Sequence, residues 1–85
     1  MPNSRSASKR LRQSRKRRER NRTAKSAIRT RMRKLFEMDS AEEAQTALRE
    51  LYTMLDRAAT RHVLHPNTAA RRKARLARHV RQLSA

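Results

Sequence analysis

Between Arg12 and Thr23 the chain has no apolar side chain, although most residues in that stretch favour a helix. A helix without an apolar stripe has nothing to bury against protein, and helices in folded chains draw most of their stability from such a stripe. The stretch lies within a leading segment, residues 1–35, that carries fifteen Lys/Arg and a single acid, Glu19. A run such as Arg15-Lys16-Arg17-Arg18 repels itself unless counter-charge is supplied. Order in this segment must come from outside the chain, and a charge of this sign and density asks for a polyanion such as nucleic acid.

The rest of the chain sharpens that reading. Residues 36–60 hold two basic and six acidic side chains, and residues 61–85 hold seven basic and no acidic ones. A generally soluble surface would mix both signs. Here two basic segments bracket an acidic one, which predicts two elements that touch the partner and one that mostly does not. Eighty-five residues with 35% apolar content and a formal charge of +17 make one small domain, residues 1–85, with a small core. No cysteine is present to staple it, which fits a reducing compartment. No apolar run approaches the ~18 residues of a membrane span, and no signal-peptide core follows Met1-Pro2, so the expected location is the cytoplasm.

Glycine is absent and proline occurs at positions 2 and 66 alone, so helix propensity runs nearly throughout. The pattern predicts an all-α chain, a three-helix bundle whose long basic first helix projects beyond the shared core. Helix one spans about 5–37, helix two about 40–61 and helix three about 66–83. Ser4 or Ser6 would cap the first helix. Its second half gains an apolar stripe at Ala24, Ala27, Ile28, Met32, Leu35 and Phe36. Ser40-Ala41-Glu42-Glu43 fits a capping box, and the short Asp39-Ser40 turn implies antiparallel packing of helices one and two. Ala44, Leu48, Leu51, Leu55 and Ala58 trace the buried face of helix two, widened by Ala47, Tyr52 and Ala59. Pro66 suits a first helical turn and no interior position. On helix three Ala69, Lys73, Leu76, Val80 and Leu83 form a narrow seam opposite Arg71, Arg72, Arg75 and Arg78. The expected core is Ile28, Met32, Leu35, Leu48, Leu51, Leu55, Leu76 and Val80.

Catalysis finds no support in these residues. Without glycine there is neither a phosphate-cradling loop nor a nucleophile elbow. His62 and His65 have no third ligand nearby and are read as a helix end and a neighbour of phosphate, not as a metal pair. His79 is read as a surface residue, and the acids of helix two as dipole and solubility features. No metal, cofactor or small-molecule substrate is expected. Phe36 and Tyr52 fall on core faces, so the aromatic platforms of sheet-based RNA binders are missing. Recognition would then rest on backbone and shape, with Arg dominating over Lys for bidentate phosphate contacts. Gln13, Ser14, Asn21 and Ser26 interrupt the basic run and can donate to phosphate or ribose oxygen.

Two resemblances follow. Arg20-Asn21-Arg22-Thr23-Ala24 through Arg33-Lys34-Leu35 resembles the basic region of leucine-zipper DNA binders. Lys25 and Ile28 depart from that pattern, Asp39-Ser40 and Pro66 interrupt any zipper, and Leu48 and Leu55 are the only well-spaced leucines. A second resemblance spans the whole chain. Ser6-Ala7-Ser8-Lys9-Arg10, Arg12-Gln13, Lys16-Arg17-Arg18, Arg20-Asn21, Lys25-Ser26 and Thr30, then His65, Asn67, Ala69-Ala70-Arg71-Arg72-Lys73 and Arg75-Leu76-Ala77, resemble the bacterial small-subunit ribosomal protein twenty family. Departures are Pro66 for a usual basic residue, Ala74 for a frequent serine, and Arg61-His62 where glycine is common. They bear on the shape of the second turn.

The family resemblance implies a structural protein of the small ribosomal subunit that binds its rRNA directly and stabilises RNA packing. No membrane partner is expected, and protein neighbours are expected to be few or are left unspecified. With the remaining cations of the basic faces included, the candidate RNA contacts on helix one are Ser6, Lys9, Arg10, Arg12, Gln13, Arg15, Lys16, Arg17, Arg18, Arg20, Asn21, Arg22, Lys25, Ser26, Arg29 and Arg33. Beyond it they are His65, Asn67, Arg71, Arg72, Lys73, Arg75 and Arg78. Phosphate attraction alone also fits a small basic DNA-binding or nucleoid-type protein. A membrane-active cationic helix fits poorly, because the most basic stretch has no hydrophobic face to insert.

Overall fold

The computed structural model describes residues 4–84. It contains α1 (Ser4–Glu37), α2 (Ala41–Thr60) and α3 (Pro66–Ser84). Both serines read as caps of the first helix lie inside α1, and the residue preceding that helix falls outside the described range. Ser40 is the N-cap of α2, with extended backbone (φ −83°, ψ 121°), and its hydroxyl accepts the Glu43 N–H at 3.4 Å. Glu42 and Glu43 occupy the positive end of the helix dipole and Arg57 the negative end.

The short turn folds α2 back along the second half of α1, and α3 packs chiefly on α2. Ile28, Leu35, Leu51, Leu55 and Leu76 are fully buried, joined by Ala44, Ala58, Leu64, Ala69 and Val80. Met32 and Leu48 are half-buried at the edge of this cluster, with Phe36, Met38 and Leu83. Among the described residues no polar or charged residue is buried. The cluster occupies one end of the molecule. The radius of gyration is 17.4 Å, with principal extents of 66 × 20 × 13 Å, against about 12 Å for a compact chain of this length. The excess is the free half of α1, in which every side chain from Arg5 to Arg20 is exposed.

Two clasps tie the helices from outside the core. Arg31 on α1 meets Glu50 on α2 at 2.9 Å, with both side chains more than half exposed, so the pair contributes at most about 1 kcal/mol. Lys73 on α3 is held more closely. Its ammonium lies 2.8 Å from Asp56 and 4.9 Å from the Tyr52 ring centroid, while the Tyr52 hydroxyl donates to the Lys73 carbonyl at 3.4 Å.

The second turn is a Schellman closure without glycine. The Val63 N–H donates to the Ala58 carbonyl at 2.8 Å, and the His62 N–H to that of Ala59 at 3.2 Å. This pairing of bonds, a six-residue loop closed around a four-residue one, requires a left-handed residue after the cap. That residue is His62, at φ 60°. The departure from glycine at Arg61-His62 therefore leaves the turn's bonding intact and places a side chain where its Cβ crowds the following carbonyl. His62 is exposed, so nothing in the core compensates. His62→Gly is expected to stabilise the isolated chain by about 0.5–1 kcal/mol, raising its melting midpoint by a few degrees. An unchanged or lowered midpoint would show that the turn is not under steric load.

The closure also directs Val63 and Leu64 into the core cluster, an apolar pair that the helical periodicities leave out. His65 then immediately precedes α3. Its carbonyl accepts the Ala69 N–H at 3.1 Å, and its Nδ1 accepts the Asn67 N–H at 3.1 Å. Pro66 follows as the first helical residue, where its missing N–H costs nothing.

Candidate nucleic-acid interface

The free half of α1 presents cations on every side. Lys9, Arg10, Arg12, Arg15, Lys16, Arg17, Arg18 and Arg20, with Ser6 and Gln13, are all exposed. Among the described residues, none of their side chains makes an ion pair or hydrogen bond within the chain. A helix of this composition has no intramolecular reason to be straight or ordered, since like charges recur at four-residue spacing, as in Arg12/Lys16 and Lys16/Arg20. The sole apolar residue of any size here is Leu11, itself 53% exposed.

Farther along, Arg18, Arg22, Lys25, Ser26 and Arg29 line one side of α1 together with half-buried Asn21. Arg33 is exposed near its end. On α3, Arg71, Arg72 and Arg75 cluster with Thr68, and the Arg71 guanidinium donates to the Thr68 hydroxyl at 3.5 Å. The Arg75 guanidinium also lies 5.2 Å from the Phe36 ring centroid, which fixes its stem against α1. Arg78 and Asn67 are exposed. His65 is exposed too, and with Nδ1 engaged in the cap its Nε2 remains the ring's donor. Lys73 differs from the rest, because its ammonium is already satisfied by Asp56 and Tyr52.

The structure also assembles what the sequence pattern leaves apart. A groove of about 530 Å³ opens where α1 passes the end of α2. Arg17, Arg20 and Asn21 form one wall, and Arg57 and Arg61 the other. Its floor is apolar, made by Ala24, Ala27, Ile28, Met54, Ala58 and Val63, and no acid lines it. Arg57 and Arg61 escape a reading by charge blocks because Arg57 is averaged with the acids of α2 and Arg61 is assigned to the turn. The antiparallel turn-back, legible at Asp39-Ser40, is the signal that would have carried the end of α2 to the arm.

His79 corrects the surface reading. It is half-buried, with its ring edge-on to Phe36 at 5.0 Å between centroids and Nε2 enclosed without a partner. Among the described residues there is no cluster of three or more His, Cys, Asp or Glu side chains that could hold a metal, and no helix is long and apolar enough to cross a membrane.

Fold and surface define a small helical protein whose exposed face is dominated by arginine. Comparison with known proteins then gives its kinship. Residues 2–81 match the family described as Ribosomal protein S20. A "Small ribosomal subunit protein bS20" from Symbiobacterium thermophilum is 49% identical over 92% of this chain and 83% of its own. The protein of that name from Desulforudis audaxviator is 46% identical over 89% of this chain and 90% of its own. That from Shouchella clausii is 46% identical over the full length of both. The chain belongs to the ribosomal protein S20 family.

Proposed function

We propose that this chain works in the small ribosomal subunit by binding small-subunit rRNA directly, neutralising closely packed phosphates and fixing neighbouring RNA helices. One observation carries the reading. From Arg5 to Arg20 the molecule devotes a helical segment to exposed cations that, among the described residues, form no ion pair with the rest of the protein. Such a surface costs self-repulsion when free and is stabilised by counterion release when phosphates approach. The relatives, named as small-subunit ribosomal proteins, supply the RNA to which this chemistry applies. α3 adds Arg71, Arg72 and Arg75 as a second contact, and α2 completes the core between them.

Charge alone serves DNA as well as RNA. Competition of small-subunit rRNA against duplex DNA of equal nucleotide concentration, at one fixed salt, separates the two. The chain is expected to remain with rRNA and to co-sediment with the small subunit after a high-salt wash. Preference for the DNA would reverse the assignment.

A further inference from the structure

We propose that the groove between α1 and the end of α2 receives one unstacked nucleotide of the bound RNA. The inference rests on direct rRNA binding and adds to it a site with a defined ligand chemistry. A phosphate-tracking surface needs cations alone, and the arm already provides one. The groove combines two features that such a surface does not need together: guanidiniums on both walls and an apolar floor. A nucleotide is the RNA unit with the same division, an apolar base face beside an anionic phosphate. Within a duplex the base faces are stacked out of reach, so only a looped-out or bulged residue can present one.

Size and chemistry agree with that occupant. At about 530 Å³ the groove falls within the range of small-ligand clefts, about 300–1,000 Å³. Its floor offers Met54, whose polarisable thioether adapts to a flat ring, beside the aliphatic Ile28 and Val63. No aromatic side chain lines it, so stacking falls to guanidinium planes, which serve bases as well as aromatics do. Among the described residues Arg17, Arg20, Arg57 and Arg61 have no acid partner, so all four are available to the nucleotide. An acidic peptide would match the guanidiniums but leave the apolar floor without a planar occupant.

The full-length chain carrying photoreactive benzoylphenylalanine in place of Met54, bound to small-subunit rRNA, tests this. A second chain with the probe at Lys16 on the arm serves as reference. Met54 adducts are expected on the base of one or two adjacent unpaired nucleotides, and Lys16 adducts on sugar–phosphate. The pair Arg57→Gln and Arg61→Gln should abolish the former and spare the latter. Independently, Ala27→Leu narrows the groove from an exposed position without changing charge or helix propensity. It is expected to weaken rRNA binding about tenfold, the scale of one lost stacking contact, with the salt slope and the free chain's melting curve unchanged. Met54 adducts that are absent, or scattered along a duplex, while Lys16 reacts normally would overturn the groove site alone. Wild-type affinity of Ala27→Leu would do the same. Failure of both probes to react would remove direct rRNA binding and the nucleotide site with it.

Discussion

Raising monovalent salt from about 50 to about 200 mM is expected to weaken the complex with small-subunit rRNA by about 10³–10⁵, the loss that follows from contacts to about six to ten phosphates. The arm from Arg5 to Arg20 alone exposes nine cations that have no ion-pair partner among the described residues, which is enough to reach that number. Each contact releases condensed counterions, so the logarithm of the affinity falls linearly with the logarithm of salt, by about 0.7–0.9 for every phosphate met. Reversing Arg17 and Arg20 to glutamate should make that slope shallower by about two and cost more than tenfold in affinity near about 100 mM salt. Glu42→Gln, at the opposite end of α2, should leave the slope where it was. Filter binding or fluorescence anisotropy across a salt series measures both quantities. A slope near zero in the wild-type chain would mean that the arm is not the contact, however basic it is.

The same physics separates what the amino-acid sequence makes legible from what it does not. The architecture follows from local signals that agree with one another: apolar spacing at Ile28 and Leu35, the serine cap at Ser40, the proline at position 66. The second turn was not readable in the same way. Its closure depends on His62 adopting φ 60°, a conformation that glycine would have announced and histidine does not. Val63 and Leu64 belong to the core through that turn, and a helical period cannot find residues outside a helix. At the interface, the exposure of the cations follows directly from the absence of an apolar stripe. Their grouping does not. Lys73 carries the same charge as Arg71 and the sequence groups the two as RNA contacts, yet from its place on the helix-three seam Lys73 meets Asp56 and Tyr52 of α2 and is engaged there. Arg57 belongs to a block that is acidic on average and Arg61 stands at the turn, and only the antiparallel return of α2 brings them opposite Arg17 and Arg20.

Leu76→Ala is expected to destabilise the free protein by about 2–5 kcal/mol, the range for a fully buried leucine. Leu76 has no exposed surface and comes from α3, packed against Leu51 and Leu55 of α2 and the stripe of α1. Domains of this length have a total stability of about 4–13 kcal/mol. This one is expected to fall toward the lower end, because the free half of α1 adds length and charge without burial. A single cavity at this point therefore removes a large share of the margin and should lower the melting midpoint by about 10 °C or more. Leu11→Ala removes the same atoms from a residue already 53% exposed on the arm, and should change stability by no more than about 0.5 kcal/mol. Thermal or urea melts of the two variants, followed by helical circular dichroism, set the comparison. On the proposed function, saturating rRNA is expected to bind the folded form and, at about a hundredfold excess over its dissociation constant, to return about 2.7 kcal/mol to the equilibrium. The Leu76→Ala chain with rRNA should therefore melt well above the same chain alone. Equal melting curves for the two free variants would mean that α3 does not close the core, and the second basic surface would then lose the support that holds it beside α1.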